Sequence, residues 1–424
     1  MEREAVSNSV VMRVRGAARE IAGAPGFAGL LACSLVLGLA SSFVLPFLSL
    51  WGTQAVGMKP LTFAVFMTSN AICAMGFSTL LARLSDTRWS RRTVLLIGGS
   101  GGTLGYLGYA FVTQPPGLML IGATLISVSS ISFSQIFAHA REELARSERG
   151  DAPFALGVLR ASFSLAWTVG PALGALVVAR FGYRGSFLAA SGLLLAYLSL
   201  VLTLVPARTR VKPVVVQATN REPLARLLMR PFLLAQFGSF VLMFCAISMN
   251  LMNLPLLITQ ELGGAAPQVG TAFAVAPVFE IPFMLWLGRV STSARQAFMI
   301  RVGVLVGVVY FLALGFARAP VDVYPAQVLN AFTIAVTMSL AIPYFQDLLP
   351  GQTGLATSLY SSSWSLGSLM GYLCFGLLVE QVGHRGLTQL CAGLGTVSLL
   401  VLVSSRRPVP ATAPALAREL SARS

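Results

Sequence analysis

One acidic residue of this sequence lies deep within a long apolar stretch. Glu280 stands in AVAPVFEIPFMLWLG, between Pro277 and Pro282, whereas the other acids lie in polar connectors, in the tails or at the ends of apolar stretches. A carboxylate in hydrocarbon costs about 2.5 to 3.5 kcal/mol on insertion scales, so proteins keep one where ions, protons or polar solutes cross a membrane. Glu280 therefore indicates transport and proton coupling. The alternative is a neutral carboxyl that hydrogen-bonds two helices together.

Arg160 is the only basic residue well inside an apolar stretch. It lies about seven residues into a predicted span at 153–179, roughly 10 Å along a helix. Glu280 lies about eight residues from the end of a predicted span at 267–288, roughly 12 Å from the same side. The similar depths predict an ion pair between the two side chains. Burial favours a neutral carboxyl and a guanidinium favours a carboxylate, and this competition suits a proton switch. The alternative for Arg160 is contact with carbonyl groups or lipid phosphates.

A second set of polar residues is uncharged and lies near the middle of apolar stretches. Asn and Gln amides both donate and accept hydrogen bonds, which matches sugar hydroxyls. Asn250 and Asn253, near Pro255, are three residues apart and share one helix face. The alternative for each amide is a hydrogen bond between helices, worth about 0.6 kcal/mol on average, and for the tryptophans it is packing. The predicted substrate-binding residues are Asn70, Gln135, Gln236, Asn250, Asn253, Gln327, Asn330, Trp167 and Trp364.

The elements that must position these residues are membrane-spanning helices. The chain has 424 residues, of which 55% are hydrophobic and 11% are charged, whereas a soluble protein has about 25% charged residues. The apolar residues come in blocks of about 20 or more, the length that a helix needs to cross a bilayer. The sequence predicts an all-α membrane protein with twelve transmembrane helices.

The net charge of +15 follows the predicted topology. Of the 30 Lys and Arg residues, 24 lie in the tails and in alternate connectors, which predicts by the positive-inside rule that both termini are in the cytoplasm. This distribution argues against a nucleic-acid partner. We expect no cleaved signal peptide, because no short apolar region with a cleavage-like site precedes the first span. The opposite side holds only Lys59, Arg180, Arg184, Arg318 and Arg385.

Other kinds of chemistry have little support in the sequence. The five cysteines have neither CxxC spacing nor histidine partners, which argues against a zinc site or a disulfide framework. There is no G-x-x-x-x-G-K-[ST] pattern for direct use of ATP and no nucleophile–base constellation. We therefore expect no enzyme activity, no cofactor and no metal ion, and a monomer in the lipid bilayer.

The chain divides into two halves that resemble each other. The pattern S-x-x-W-x-x-G-x-x-x-G occurs at 164–174 and again at 361–371, and RFGYRG at 180–185 corresponds to QVGHRG at 381–386. Repeated halves that rock about a central site are a known transporter plan. We predict an N-terminal bundle at 27–206 and a C-terminal bundle at 231–405, joined by a cytoplasmic linker at 207–230. Cytoplasmic tails at 1–26 and 406–424 flank the two bundles.

The connector after the second span resembles a loop of the major facilitator superfamily. ARLSDTRWSRR at 82–92 matches G-x-x-x-D-R-x-G-R-R in its charged positions, with Ala82 and Ser90 where glycines are usual. VGPALGALV at 169–177 is similar to the Gly-Pro motif that this superfamily's exporters often carry. The resemblance implies two pseudo-symmetric six-helix bundles in which spans 5 and 8 face each other. We also expect a cytoplasmic gate formed by Asp86, Arg88, Arg91, Arg92, Arg141 and Asp347. The alternative is that these charged residues form a solvent-exposed surface.

Longer stretches resemble the bacterial sugar efflux transporter family within that superfamily. They are SNAICAMG at 69–76, LRASFSLAWTVGP at 159–171, LPLLITQELG at 254–263, FEIPFM at 279–284 and PYFQDLLPGQTGLATSL at 343–359. The resemblance covers about residues 27–405. It implies a secondary active transporter of the bacterial inner membrane that exports sugars or glycosides by proton antiport with alternating access. The alternatives are a multidrug or amphiphile/proton antiporter and, in another class, a membrane receptor or scaffold that transports nothing.

Overall fold

The computed structural model describes residues 26–147, 152–206 and 230–405, and the regular elements of those ranges are helices. Within them, 10 helices are long and apolar enough to cross a membrane. Two of these, Ala155–Leu204 and Thr353–Ser404, have 50 and 52 residues, far more than the roughly 20 that one span needs. Each breaks near its middle at a glycine with positive φ, Gly182 (67°) or Gly383 (71°). Each long helix therefore holds two spans joined by a corner, which fits the predicted twelve.

We number the spans in chain order and treat residues 180–184 and 380–385 as the corners within the two long helices. The tails and the linker predicted from the sequence lie almost wholly outside the described residues. The spans are α1 Phe27–Ala55, α2 Pro60–Ser85, α3 Arg91–Phe111, α4 Pro115–Leu144, α5 155–179, α6 185–204, α7 Pro231–Glu261, α8 Ala266–Val290, α9 Arg295–Phe316, α10 Pro320–Leu348, α11 353–379 and α12 386–404.

Proline begins several spans, because its fixed φ suits the first helical turn and its missing N–H leaves no bond unmade there. Pro60, Pro115 and Pro231 each stand at such a start. Three spans also contain a π-helical segment, at Trp51–Ala55, Gly122–Ile126 and Leu257–Glu261. A π-helical turn widens the helix locally and is frequent at functional sites.

The repeated glycines let the first and fifth spans of each half pack closely. A Cβ at Gly170 would meet Ser42 of α1, and one at Gly174 would lie 3.0 Å from the Phe43 Cα. In the other half, a Cβ at Gly371 would lie 2.6 Å from the Cys245 carbonyl oxygen of α7. Small residues at such crossings allow backbones to approach within a bilayer. The repeated motif therefore serves packing in both halves.

We call the connectors that hold most of the Lys and Arg residues the basic connectors. The two halves touch at the opposite end of the bundle. There α8 packs on α5, with Gly270 against the Pro171 carbonyl group, and α11 packs on α2, with Gly376 against the Pro60 carbonyl group. Neither glycine has room for a side chain. These crossings close one end of the space between the halves and leave the candidate site on their other side.

Candidate functional site

A cavity of about 490 Å³ lies between the two halves. Residues of α4 and α5 form one wall, and residues of α7 to α11 form the rest. The cavity brings together residues that the sequence scatters over half of the chain. Seven of the predicted site residues line it: Arg160, Trp167, Asn250, Glu280, Gln327, Asn330 and Trp364.

Two opposite charges face this cavity from different halves. Arg160 extends from α5 with an exposed side chain, and Glu280 extends half-buried from α8. Both side chains line the same cavity, so the two charges share one space between the halves. No ion pair within 4.0 Å joins Arg160 and Glu280 in the part of the chain that the structure describes. The two charges are near enough to attract each other but are not in contact.

Tyr310 of α9 lies at the centre of a hydrogen-bond network on the C-terminal wall. Its hydroxyl oxygen accepts bonds from the Asn250 amide at 2.9 Å and from the Gln327 amide at 3.2 Å. Asn330 in turn donates to the Gln327 carbonyl oxygen at 2.9 Å. Because the Tyr310 oxygen accepts twice, its own hydrogen remains to be donated. The network therefore holds three amides from two spans around one phenol.

Two buried polar atoms in this cavity have no hydrogen-bond partner among the described residues. They are the Asn250 carbonyl oxygen Oδ1 and the Trp167 indole Nε1. A buried polar group without a partner costs about 1–3 kcal/mol. One atom accepts and the other donates, so a ligand hydroxyl could pair with either after a small side-chain rotation. Trp364 packs edge-on against Phe244 with ring centroids 4.8 Å apart and also faces the cavity.

Four predicted binding residues lie away from this cavity and have partners of their own. Gln135 is buried in the N-terminal half and accepts from Ser85 at 3.1 Å. Gln236, near the start of α7, accepts from the Tyr344 hydroxyl at 2.7 Å. Asn253 bonds to the corner at Gly383, and Asn70 lines a second cavity.

The predicted gate charges are divided between the halves. Arg91 links three spans of the N-terminal half, because it pairs with Glu142 of α4 at 2.6 Å and donates to Gln135 of α4 at 3.0 Å and to Ser85 of α2 at 3.3 Å. Arg92 donates to two carbonyl groups near the end of α6. Arg88 and Arg141 are exposed, and the Asp86 side chain lies outside the described residues.

Asp347, the predicted gate residue of the C-terminal half, lies near the basic-connector end of α10. It lines a small cavity of about 90 Å³ together with Gln236, Tyr344 and Arg301. The hydrogen bonds described above for Arg91 and Arg92 join spans of the N-terminal half.

Sequence reasoning missed Tyr310. Phenols are common in apolar spans, so Tyr310 carries no signal by composition. The internal repeat does carry one: Tyr310 follows Tyr109 by 201 residues, the interval that separates Gly383 from Gly182. A search for polar residues that recur at this interval would have found it.

Comparisons with known proteins agree with this architecture. A family model described as Major Facilitator Superfamily matches residues 30–324 and 236–423. The solved structure of the nucleoside transporter NupG matches with a TM-score of 0.74 over 90% of this chain and 98% of that one. At 14% identity this likeness shows the fold alone, and it confirms the predicted fold class.

Relatives are closer in sequence. The chain is 36% identical to a predicted sugar efflux transporter of Deinococcus radiodurans over 390 residues, which cover 91% of this chain and 99% of that protein. It is 28% identical to sugar efflux transporter A of Escherichia coli over 380 residues, covering 88% and 95%. These matches confirm the predicted transporter and argue against an enzyme. The chain belongs to the Major Facilitator Superfamily and, within it, to the sugar efflux transporter family.

Proposed function

We propose that this protein exports sugars or glycosides across the bacterial inner membrane in exchange for protons. The observation that carries the proposal is the 490 Å³ cavity, where unpartnered amide and indole atoms lie beside two opposite charges from different halves. The names of the relatives support a sugar as the substrate. The unpartnered amide and indole atoms suit a neutral hydroxylated solute. The two opposite charges suit the binding and release of a proton.

The substrate class follows from the hydrogen-bonding groups of the cavity. Asn250 Oδ1 accepts from one sugar hydroxyl, and Trp167 Nε1 donates to another. Tyr310 donates its remaining hydrogen to a third. Trp167 and Trp364 supply flat faces for the C–H side of a pyranose. An anionic solute would call for several basic residues, whereas Arg160 is the one basic side chain among the lining residues described.

Coupling depends on Glu280 and Arg160. When the halves close at the basic-connector end, α5 and α8 bring the two side chains together, and the ion pair holds that end shut. A proton on Glu280 removes the attraction and lets the end reopen. The observed arrangement, with the opposite end closed and the pair apart, is the state that follows protonation in this scheme.

The orientation follows from the basic connectors. Their positive charge favours a cytoplasmic location for both termini, and in this orientation the closed end that contains Gly270 and Gly376 faces the periplasm. The cavity then opens to the cytoplasm, where an exporter loads its substrate. Transport direction is set by the proton gradient, because the same gates run either way.

Everted membrane vesicles test the proposal, since export in the cell becomes uptake into the vesicle. We expect radiolabelled lactose to accumulate when the lumen is acidified, and a protonophore to reduce uptake to the level of vesicles without the protein. Lactose uptake that is unaffected by the protonophore would reject proton antiport. Vesicles that never take up lactose or methyl glucoside above background would reject the sugar assignment.

An amphiphile antiporter is the second candidate, because several large apolar side chains line the same cavity. Phe133, Phe163, Phe273 and Phe311 would suit a lipophilic cation drawn by Glu280. Competition separates the candidates: a sugar exporter is inhibited by excess methyl glucoside and not by a lipophilic cation, and an amphiphile antiporter behaves in the opposite way.

A further inference from the structure

We infer that the N-terminal half contains a second site for a neutral hydroxylated ligand. A separate cavity of about 320 Å³ lies among α1 to α4 and is completed by Tyr372 of α11. It shares no lining residue with the 490 Å³ cavity, among the residues described for each. The site itself is argued from its geometry, and only the choice of a sugar as its ligand rests on the proposed function.

Asn70 and Tyr109 form the polar part of this second cavity. The Asn70 amide nitrogen lies 3.5 Å from the Tyr109 hydroxyl oxygen, a long hydrogen bond. The Asn70 carbonyl oxygen Oδ1 is buried and has no partner among the described residues. Ser127 of α4 donates to the Asn70 backbone carbonyl at 3.0 Å and so attaches α2 to α4 at this level. An amide held loosely on its donor side and unpaired on its acceptor side is able to turn toward a ligand.

The backbone of α4 is shaped around this pair. Gly122 begins the π-helical segment Gly122–Ile126. A Cβ at Gly122 would collide with the Asn70 Oδ1 and would lie 2.5 Å from the Tyr109 hydroxyl oxygen. Ser127 also donates to the Gly122 carbonyl at 2.8 Å, which satisfies a group at the widened turn. A glycine and a π-helical turn together make room for two polar side chains that no other residue type at position 122 would allow.

Aromatic residues hold Tyr109 in place. Its ring packs against Trp51 and Phe187 with centroids 5.2 and 5.6 Å away, and against Tyr106 at 6.4 Å. These contacts fix the ring of Tyr109, which lines the cavity with its hydroxyl group beside Asn70. A preorganised donor or acceptor binds with less loss of conformational entropy than a mobile one. The arrangement is that of a binding group rather than of a loosely packed void.

The internal repeat supports the same conclusion independently. Tyr109 on α3 and Tyr310 on α9 occupy equivalent positions, 201 residues apart. Each hydroxyl accepts a hydrogen bond from an asparagine, Asn70 or Asn250, whose own Oδ1 is buried and unpartnered among the described residues. The two asparagines come from non-equivalent spans, α2 and α7, so simple copying of one half does not explain the pairing. Both halves have arrived at a phenol and an amide that face a cavity.

The lining residues define the ligand. None of the described side chains around the second cavity carries a formal charge, so the ligand is neutral. Asn70 Oδ1 requires a donor, and the hydroxyls of Ser130 and Tyr109 supply further polar contacts. Tyr106 and Tyr372 offer ring faces for an apolar surface. A hydroxylated ring of the kind proposed for the main cavity meets these requirements.

Binding stoichiometry tests the inference. With the full-length protein in detergent, scintillation proximity with radiolabelled lactose or methyl glucoside should give two molecules bound per chain. Gly122→Ala should reduce the number to one, because its Cβ displaces Asn70 and Tyr109. Asn70→Leu should do the same without changing the backbone. The matched control is Gly192→Ala on α6, where a Cβ meets nothing within 4 Å, and it should keep both sites.

The outcomes separate this inference from the proposed function. A single molecule bound to the wild type, lost in Asn250→Leu and unchanged in Gly122→Ala and Asn70→Leu, would overturn the second site and leave sugar export standing. Absence of sugar binding in the wild type would overturn both. Loss of all binding in a variant that still elutes as a single monodisperse species would also overturn two independent sites, because one cavity should survive damage to the other.

Discussion

The corner between α5 and α6 and the corner between α11 and α12 have one backbone design and different partners. Both turn at a glycine with positive φ, followed two residues later by an arginine. Arg184 lies 4.4 Å above the Phe111 ring, whereas Arg385 pairs with Glu261 at 3.1 Å. Glycine is retained because residues with a Cβ rarely adopt that conformation. The duplicated halves therefore preserve the residues that set the backbone and have changed the partners of the side chains.

The same contrast holds in the membrane interior. Each half keeps its closely packed glycines and a buried tyrosine at an equivalent position of the repeat, Tyr109 or Tyr310. The C-terminal half surrounds its tyrosine with three amides and adds Glu280, whereas the N-terminal half provides one amide and Arg160. The two halves therefore share their helix packing and differ in the polar and charged groups that they bring to the cavities.

Replacement of the cavity carboxyl should have the largest effect. Glu280→Gln keeps the shape of the side chain and removes its proton exchange, so accumulation of lactose in acidified everted vesicles should fall to background while lactose exchange continues. Glu261→Gln is the matched control, because Glu261 lies at the end of α7, where it bonds to the α11–α12 corner and does not line the cavity. Wild-type accumulation by Glu280→Gln would show that the two charges do not couple transport to protons.

Helix packing should be less tolerant in the C-terminal half. In Gly371→Ala the new methyl group meets backbone atoms, the Cys245 oxygen at 2.6 Å and the Met249 nitrogen at 2.9 Å. In Gly170→Ala it meets mainly the Ser42 side chain, which can rotate. Overpacking lowers the free energy of unfolding by about 1–3 kcal/mol. We therefore expect a loss of about 2 kcal/mol for Gly371→Ala and a smaller loss for Gly170→Ala.

Thermal unfolding in detergent measures this difference. Gly192→Ala, which has open space around its Cβ, should unfold at the wild-type temperature. Equal decreases in the unfolding temperature of Gly170→Ala and Gly371→Ala would contradict this prediction. They would mean that the α1 side chain accommodates a methyl group no better than the α7 backbone does.

The two tyrosines provide a matched pair. Tyr310→Phe leaves the Asn250 and Gln327 amides without their common acceptor, at about 1 kcal/mol for each hydrogen bond. We expect lactose affinity at the main cavity to fall about tenfold. Tyr109→Phe should spare that affinity and weaken the second site alone. If both variants weakened the same binding step equally, the two cavities would have to be parts of a single site.

The smallest effect that we expect is a change in the pKa of His384. Asn253 donates its amide to the His384 carbonyl oxygen at 2.9 Å, so its own oxygen faces His384 Nδ1 at 2.7 Å, and this nitrogen carries a hydrogen. Burial lowers the pKa of His384, and the Glu261 carboxylate opposes that change. Glu261→Gln removes the opposing charge and should lower the pKa of His384 further.

Nuclear magnetic resonance of histidine-labelled protein measures this pKa directly. The chain has 2 histidines, so His139→Gln assigns the two signals. An unchanged or higher pKa in Glu261→Gln would show that the corner carboxylate does not stabilise the imidazolium. The equivalent position in the other half is Tyr183, which has no charge to stabilise.

Several features could be predicted from the sequence because they depend on local composition. Block length predicts helices, alternation of Lys and Arg predicts their direction, and the recurrence of R-F-G-Y-R-G as Q-V-G-H-R-G predicts two related halves. Arg160 and Glu280 could be placed at similar depths because depth in a span is a count of residues along one helix. All seven cavity residues that were predicted belong to spans whose positions follow from such counts.

The membership of each site could not be predicted in the same way. Asn70, Asn250 and Asn253 look alike in sequence, yet they belong to a second cavity, to the main cavity and to a corner. Gln135 and Gln236 proved to be bonded to neighbours within their own halves. The rotation of each span about its axis and its packing against others decide which amide meets a partner.

Two repeated bundles of apolar helices, with opposite charges predicted at similar depths, follow from the sequence alone. Hydrophobic length, charge bias and repetition are properties of single segments, so they survive without knowledge of contacts. Helix packing is what lets Tyr310 gather three amides and lets Gly122 make room for Asn70 and Tyr109. Those arrangements join side chains from different spans, and they depend on how closely the helix backbones approach.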